Sequence, residues 1–337
     1  MQQGWEYTMV KFGVIGTNWI TESFIAAARE VSSFQLTAVY SRTAERAEEF
    51  AAKHHIPNTY TDIAAMAASG EIDAVYIASP NSYHAQYAIE CMKHGIHVLC
   101  EKPIASNAKE LGAMIAAAKE NGVLLMEALK STLMPGTGAI REHLSKIGTV
   151  RRFFASYCQY SSRYDAYKAG TVLNAFNPAF SNGALMDIGI YCVYQAVALF
   201  GKPDEVKATG VMLESGVDGE GSILLKYPDM DAVIMYSKIT QSSLPSEIQG
   251  ESGSIVIDKI SEPEKVVIQY RDGREEDLSQ QTSGHTMYYE AKEFIELVEA
   301  GKTESTINSL ATSMLSMEVM DEARKQLGLV FPADSKS

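Results

Sequence analysis

The sequence predicts an α/β protein. A doubly wound parallel sheet is expected over residues 9–127. An α+β domain with a large, mostly antiparallel open sheet is expected over 128–330, its C-terminal helix free to pack back on the first domain. Three observations carry this. The first half alternates apolar strand-like runs with helical stretches, as βα units do. After Glu127 the alternation stops, and short strands separated by turn signals follow one another. A chain of 337 residues is also too long for one ordinary core.

Composition narrows the function classes. Hydrophobic residues make up 46% and charged residues 21%, the balance of a soluble globular protein. A net charge of −13 argues against a basic face for nucleic acid or an anionic membrane, so neither is expected as a partner. No run of about 18 apolar residues is seen, and no membrane span is expected. Met1 to Thr8 lack an apolar signal core and read as an extension or an alternative start before Met9. The four cysteines form no C-x-x-C pair, so no disulfide framework and no metal site is expected, and a reduced, cytoplasmic protein follows.

Val10 to Gly16 reads as a buried strand, Asn18 to Glu30 as a helix, Gln35 to Ser41 as a strand and Ala44 to His54 as a helix. A dinucleotide fingerprint would begin at Gly16, but Gly16-Thr17-Asn18-Trp19-Ile20-Thr21 keeps only the first of three glycines. Asn18 and Thr21 stand at the other two. Asn tolerates the left-handed backbone, so the turn can still form, whereas Thr21 crowds the helix against the strand. The strand before and the helix after make this a candidate cofactor turn; an ordinary tight βα turn is the other reading. The second strand ends in Ser41-Arg42, 25 residues beyond Gly16. An acidic residue there would bind the ribose 2′-hydroxyl of NAD. A hydroxyl and a guanidinium suit a 2′-phosphate, which favours NADP while leaving NAD open.

Ile72 to Ala78 is a further strand, followed by Ser79-Pro80-Asn81-Ser82-Tyr83-His84. Ser79 and Asn81 are candidate caps of a helix beginning near Ser82, with His84 facing the same edge. The strand Ile96 to Cys100 ends in Glu101-Lys102-Pro103, because proline cannot continue a ladder. Lys102 is therefore held at the carboxyl edge, where open α/β sheets bind ligands. It is a candidate catalytic group, and a solvated loop lysine is the alternative. Asn107 to Asn121 is a helix ended by Gly122. Val123 to Glu127 is a strand whose last residue is either a site group or a solvated carboxylate.

Beyond it, Thr137 to Leu144 reads as a helix, Val150 to Tyr160 as a strand and Ala184 to Phe200 as a helix. Short strands follow at 205–212, 219–227, 231–239, 245–249, 254–258 and 265–270, then helices at 285–300 and 307–327. On the helix after Gly183, Asp187 and Tyr191 are four apart and share a face. They are either site residues or a buried hydrogen-bonded pair. The loop 161–182 is expected to cover a substrate, with Tyr160, Arg163, Tyr164 and Asn174 as candidate contacts against ordinary loop polarity.

Gly13 to Ile20, Ser79-Pro80-Asn81 with His84, Glu101-Lys102-Pro103, Glu127-Ala128 and Gly183 to Tyr191 together resemble the glucose–fructose oxidoreductase / inositol dehydrogenase (Gfo/Idh/MocA) family. The resemblance implies a nicotinamide-binding Rossmann domain and an α/β domain whose open sheet often forms a dimer interface. It implies Glu101-Lys102-Pro103 beside the nicotinamide, with Lys102 contacting the substrate hydroxyl. The acid/base position, a histidine in many members, is Tyr191 here, as in the dimeric dihydrodiol dehydrogenase and xylose dehydrogenase branch. The expected cofactor contacts are Gly16, Thr17, Asn18, Trp19, Ile20, Ser41, Arg42, Ser79, Pro80, Asn81, His84, Glu101 and Lys102. The expected reaction is hydride transfer between NADP, or NAD, and a secondary alcohol or carbonyl of a sugar, polyol or trans-dihydrodiol, in a homodimer or homotetramer. Tyr191 would exchange the hydroxyl proton, helped toward tyrosinate by Lys102, and Asp187 would orient Lys102 or bond a substrate hydroxyl. A non-catalytic cofactor-binding regulator and an NAD-dependent glycoside hydrolase are the alternatives.

Overall fold

The computed structural model describes residues 9–335, so the octapeptide Met1 to Thr8 lies outside the described residues. The first sheet is built from β1 (Val10–Ile15), α1 (Trp19–Ala28), β2 (Phe34–Tyr40), α2 (Ala44–His54), β3 (Asn58–Tyr60), α3 (Ile63–Ala67), β4 (Ala74–Ile77), α4 (His84–Lys93), β5 (His97–Glu101), α5 (Ala108–Asn121) and β6 (Leu125–Ala128). Its six strands are all parallel, in the order β3-β2-β1-β4-β5-β6. Strands β4 and β6 are buried at every position, as a parallel sheet covered on both faces requires. The order reverses between β1 and β4, which opens a crevice at their carboxyl ends.

The second half contains α6 (Pro135–His143), β7 (Val150–Cys158), α7 (Tyr164–Lys168) and a π turn (Leu185–Gly189) that runs into α8 (Ile190–Phe200). Then follow β8 (Glu205–Met212), β9 (Asp218–Lys226), β10 (Asp231–Ser237), β11 (Ser246–Gly250), β12 (Gly253–Ile257), β13 (Val266–Tyr270), β14 (Glu275–Asp277), α9 (Tyr288–Glu299) and α10 (Leu310–Leu327). The eight strands order as β14-β13-β12-β11-β7-β10-β9-β8, with only β7 and β10 parallel. Helices α8 and α10 cover one face. The α9 helix returns to the first sheet, where Phe294 meets Phe12 at 5.8 Å between ring centroids.

The expected elements reappear with small shifts at their ends. The pieces without a sequence signal are short: β3 and β14 have three residues each, too few to show alternation. The long loop also holds α7, whose Tyr164 and Tyr167 pack on Phe176. Pro178–Phe200 is long and apolar enough to cross a membrane by length and composition, and 78% of its most apolar window is buried. Its apolarity is that of a core helix enclosed by β7, β10 and α10.

Near the C-terminus, Arg324 joins the two halves. Its guanidinium donates to Asp321 (2.9 Å) and Asp334 (2.9 and 3.0 Å) and lies over Phe331. Asp334 also accepts from Asn107 (2.9 Å), and Asp321 from the Ala108 amide (2.8 Å), so the staple grips the start of α5. Replacing Arg324 with Met leaves both carboxylates without their cation. The expected loss is ~2–3 kcal/mol, less than for a fully enclosed pair because the Asp side chains are about a quarter exposed. Urea denaturation reads this as a lowered midpoint; an unchanged midpoint would show that the staple contributes nothing.

Candidate active site

A cavity of about 1150 Å³ follows the carboxyl edge of the parallel sheet and is closed by β7, the π turn and the start of α9. At one end stand Ser41 and Arg42, just past β2; at the other, Lys102 and Tyr191. The βα turn between them has a physical requirement for Gly16. Its φ is +112°, and a Cβ there would lie 2.6 Å from the Ala78 carbonyl oxygen. Asn18 forms the turn differently from expectation. Its backbone is extended (φ −99°), and its side chain caps α1, accepting from the Ile20 and Thr21 amides at 3.1 and 3.2 Å. Its Nδ2 donates to Ala78 O (2.8 Å), which ties the turn to the end of β4. Thr21 is buried, and its hydroxyl donates to Asn18 Oδ1 (3.4 Å), so the third glycine is dispensable here. A turn without Cβ at the start of a helix, in a cavity of this size, fits a dinucleotide.

The expected caps at 79–81 do not form. Residues 81–83 make a 3₁₀ turn with no side-chain cap, and Asn81 instead donates to Ser181 O (2.9 Å) in the covering loop. His84 lines the cavity, but both its ring nitrogens are engaged, by Pro103 O (3.0 Å) and Ser79 O (2.8 Å). Burial lowers its pKa to about 4, so the ring is neutral and its single N–H donates to one of these two carbonyls at a time. Glu127 is away from the cavity wall: Oε1 accepts from the Ile104 amide (3.0 Å) and fixes the turn after Lys102. Burial raises its pKa to about 7.

Lys102 Nζ donates to Asp187 O (2.7 Å) and Oδ1 (3.0 Å) and lies 5.2 Å from the centroid of the Tyr191 ring. Asp187 Oδ2 accepts from Lys238, at the end of β10. Burial works against the Asp187 carboxylate, yet the two ammoniums outweigh it and hold its pKa well below the usual range. Burial likewise opposes the charge on Lys102, but Asp187 leads the groups that keep it an ammonium. Tyr191 departs from expectation: Lys102 pulls its pKa down, but burial wins and pushes it up, so the resting group is a phenol. Its hydroxyl makes no hydrogen bond among the described residues. Asp187 sits in the π turn, which Asp218 starts by accepting from the Leu185 amide (2.7 Å). Gly183 (φ +147°) makes room for that carboxylate, since a Cβ would lie 2.1 Å from its Oδ1.

Of the candidate substrate contacts, Arg163 and Asn174 line the cavity, whereas Tyr160 and Tyr164 do not. The Tyr160 hydroxyl is turned to Asp165 (2.7 Å). The sequence reading missed Arg46, Lys238, Tyr157 and Glu290. Arg46, one helical turn beyond Arg42, lines the same end and donates to Thr17 Oγ1 (3.1 Å) and O (2.8 Å). Its spacing was the available signal. Tyr157 meets Tyr191 edge-on at 5.6 Å. Lys238 and Tyr157 arrive from separate strands, and no local motif marks them. Glu290 stands on the apolar face of α9, and a carboxylate on such a face is its signal.

Residues 10–129 match a family model described as "Oxidoreductase family, NAD-binding Rossmann fold", and residues 140–256 match the "GFO/IDH/MocA C-terminal domain". The chain is 58% identical over 326 residues to the scyllo-inositol 2-dehydrogenase (NADP(+)) IolU of Bacillus subtilis (strain 168), across 97% of this chain and 99% of that one. It is 32% identical over 341 residues to the trans-1,2-dihydrobenzene-1,2-diol dehydrogenase of Mus musculus, with the same coverage. The crystal structure of an aldose-aldose oxidoreductase from Caulobacter crescentus has the same fold, with a TM-score of 0.84 over 94% of this chain and 97% of that one, at 21% identity. With both domain models matched in order and relatives aligned from end to end, the chain belongs to the Gfo/Idh/MocA oxidoreductase family.

Proposed function

We propose that this chain is an NADP-dependent dehydrogenase acting on a secondary alcohol, or the matching ketone, of a polyol, sugar or trans-dihydrodiol. The observation that carries it is the pairing of Lys102 with a free Tyr191 hydroxyl at one end of a cavity whose other end holds Arg42 and Arg46. The names of the relatives, an NADP(+)-dependent inositol dehydrogenase and a dihydrodiol dehydrogenase, support the same reading. NADP, when bound, donates or accepts the hydride.

The chain's own groups handle the proton and the charge. In reduction, the Tyr191 phenol gives its proton to the carbonyl oxygen as that oxygen gains negative charge, and the Lys102 ammonium stabilises the developing alkoxide. In oxidation, Tyr191 must first lose its proton and then takes the one from the substrate hydroxyl. Asp187 keeps Lys102 aimed and charged. Ser41 and the guanidiniums of Arg42 and Arg46 would hold the 2′-phosphate, and the start of α1 would hold the diphosphate.

The four cysteines are free and buried, which supports a reduced, cytoplasmic setting. A homodimer or homotetramer through the uncovered face of the second sheet is supported by a cross-strand row of Leu224, Val233 and Phe154, with Leu224 44% exposed.

Four measurements test this. Tyr191→Phe should lower kcat ~10²–10⁴-fold and Lys102→Met ~10²–10³-fold, with NADPH binding intact. Because burial raises the Tyr191 pKa, wild-type oxidation should quicken as pH climbs above neutrality, while reduction should not. NADPH binding without turnover of any polyol, sugar or dihydrodiol would leave a cofactor-binding regulator as the better account. Arg42→Ala should weaken NADPH ~10–100-fold and leave NADH unchanged, since only the 2′-phosphate loses a charge-assisted partner; equal losses for both would refute the phosphate assignment. Leu224→Glu should shift sedimentation to the monomer, and an unchanged mass would place any interface elsewhere.

A further inference from the structure

One buried carboxyl in the cavity wall has no role in the mechanism above. Glu290 lies in the first turn of α9, on the face that carries Ala291, Phe294 and Ile295 into the core. It is 1% exposed and lines the cavity, yet neither of its oxygens meets a hydrogen-bond partner among the described residues. A native chain rarely leaves such a group incomplete, and an absent ligand is one reason for it.

The surroundings place Glu290 at the Lys102 end. Its charge is felt by Tyr76 and Tyr191, and the charges that act on it are Glu101 and Lys130. Lys130 does not pair with it, because that ammonium is held by Glu262 and by Thr286 Oγ1 (3.0 Å). Glu101 is occupied by the Tyr76 hydroxyl (2.5 Å). Burial first, and Glu101 second, hold the Glu290 carboxyl well above the ordinary range, which favours its uncharged form. A neutral carboxyl offers one O–H donor beside one carbonyl acceptor. A primary carboxamide offers the complementary edge, a carbonyl acceptor beside an N–H donor.

We propose that Glu290 is a positioning residue that pairs with the carboxamide of the nicotinamide through two hydrogen bonds, donating its O–H to the amide oxygen and accepting the amide N–H, and so orients the ring toward the substrate. This rests on the dinucleotide reading of the cavity. It adds to it a residue, on a helix from the far end of the chain, that distinguishes a nicotinamide nucleotide from its truncated form.

The test compares Glu290→Leu, apolar and of similar size, with Glu290→Gln, whose amide keeps a donor beside an acceptor. Equilibrium titrations of NADPH and of 2′-phospho-ADP-ribose, which lacks the nicotinamide, are read by tryptophan fluorescence, Trp19 standing in the cavity wall at 65% exposure. Glu290→Leu should weaken NADPH ~10–30-fold, the loss expected for two neutral hydrogen bonds. Glu290→Gln should stay within about threefold of wild type by the same reasoning. Both variants should bind 2′-phospho-ADP-ribose as wild type does. Unchanged NADPH affinity in Glu290→Leu overturns the proposal, as does equal weakening of both ligands, which marks general damage. Glu290→Gln as weak as Glu290→Leu also overturns it, because an ionised carboxylate would then be the working form. A wild type that binds neither ligand refutes the dinucleotide reading itself, a result distinct from all three.

Discussion

The arrangement depends on one carboxylate held between two ammoniums. Asp187 accepts from Lys102, at the end of the parallel sheet, and from Lys238, at the end of β10 in the second sheet. Each half of the chain supplies a cation, and the anion between them holds the two sheets in register across the cavity. Three charges gathered where the two lysines are largely buried and Asp187 is about a third exposed are costly to break, since removing a partner leaves a poorly compensated charge. The π turn serves it: widening the helix at Leu185–Gly189 places both the backbone carbonyl and the carboxylate of Asp187 within reach of Lys102.

Around this triad the backbone is fixed by side chains bonded to other parts of the chain. Glu127 takes the Ile104 amide, His84 spans Pro103 and Ser79, and Asn81 reaches the carbonyl of Ser181 in the covering loop. Tyr76 holds Glu101 and is itself stacked on Phe24, with ring centroids 3.8 Å apart. Packing in the first core thus continues into the position of Lys102. A reacting group must stay within a fraction of an ångström of its working place, and rotamers locked in this way provide that.

What the sequence revealed and what it hid follow from the range of the interactions. Long buried runs such as Val10–Ile15 and capped helices such as Asn107 to Gly122 carry their own signals, so the parallel sheet was legible except for its three-residue edge strand β3. Lys102 was legible because a proline ends its strand, and Asp187 and Tyr191 because helical spacing puts them together. Lys238 was not, since its partner lies 51 residues away and nothing nearby marks it. Asn18 was legible as a residue but misread as a mechanism: a side chain that can both cap a helix and bridge to the next strand removes the need for a left-handed turn. Glu127 looked like a site group because it lies at a strand end. Whether such a residue faces the cavity or its own backbone is decided by tertiary packing.

The charge pattern accounts for the direction in which the chemistry is aided. Lys102 and Lys238 against Asp187 leave one net positive charge at the reacting end. That charge favours an alkoxide over an alcohol. Nearby carboxyls would cancel it if they were all ionised. Burial, however, pushes Glu101, Glu127 and Glu290 toward their neutral forms, while Asp187 alone is driven the other way by its two lysines. The same burial keeps Tyr191 protonated. A phenol with its proton and an uncancelled cation beside it are the two things a carbonyl oxygen needs as it gains charge. On the proposed reading the resting site favours reduction, and oxidation would begin by drawing the proton off Tyr191.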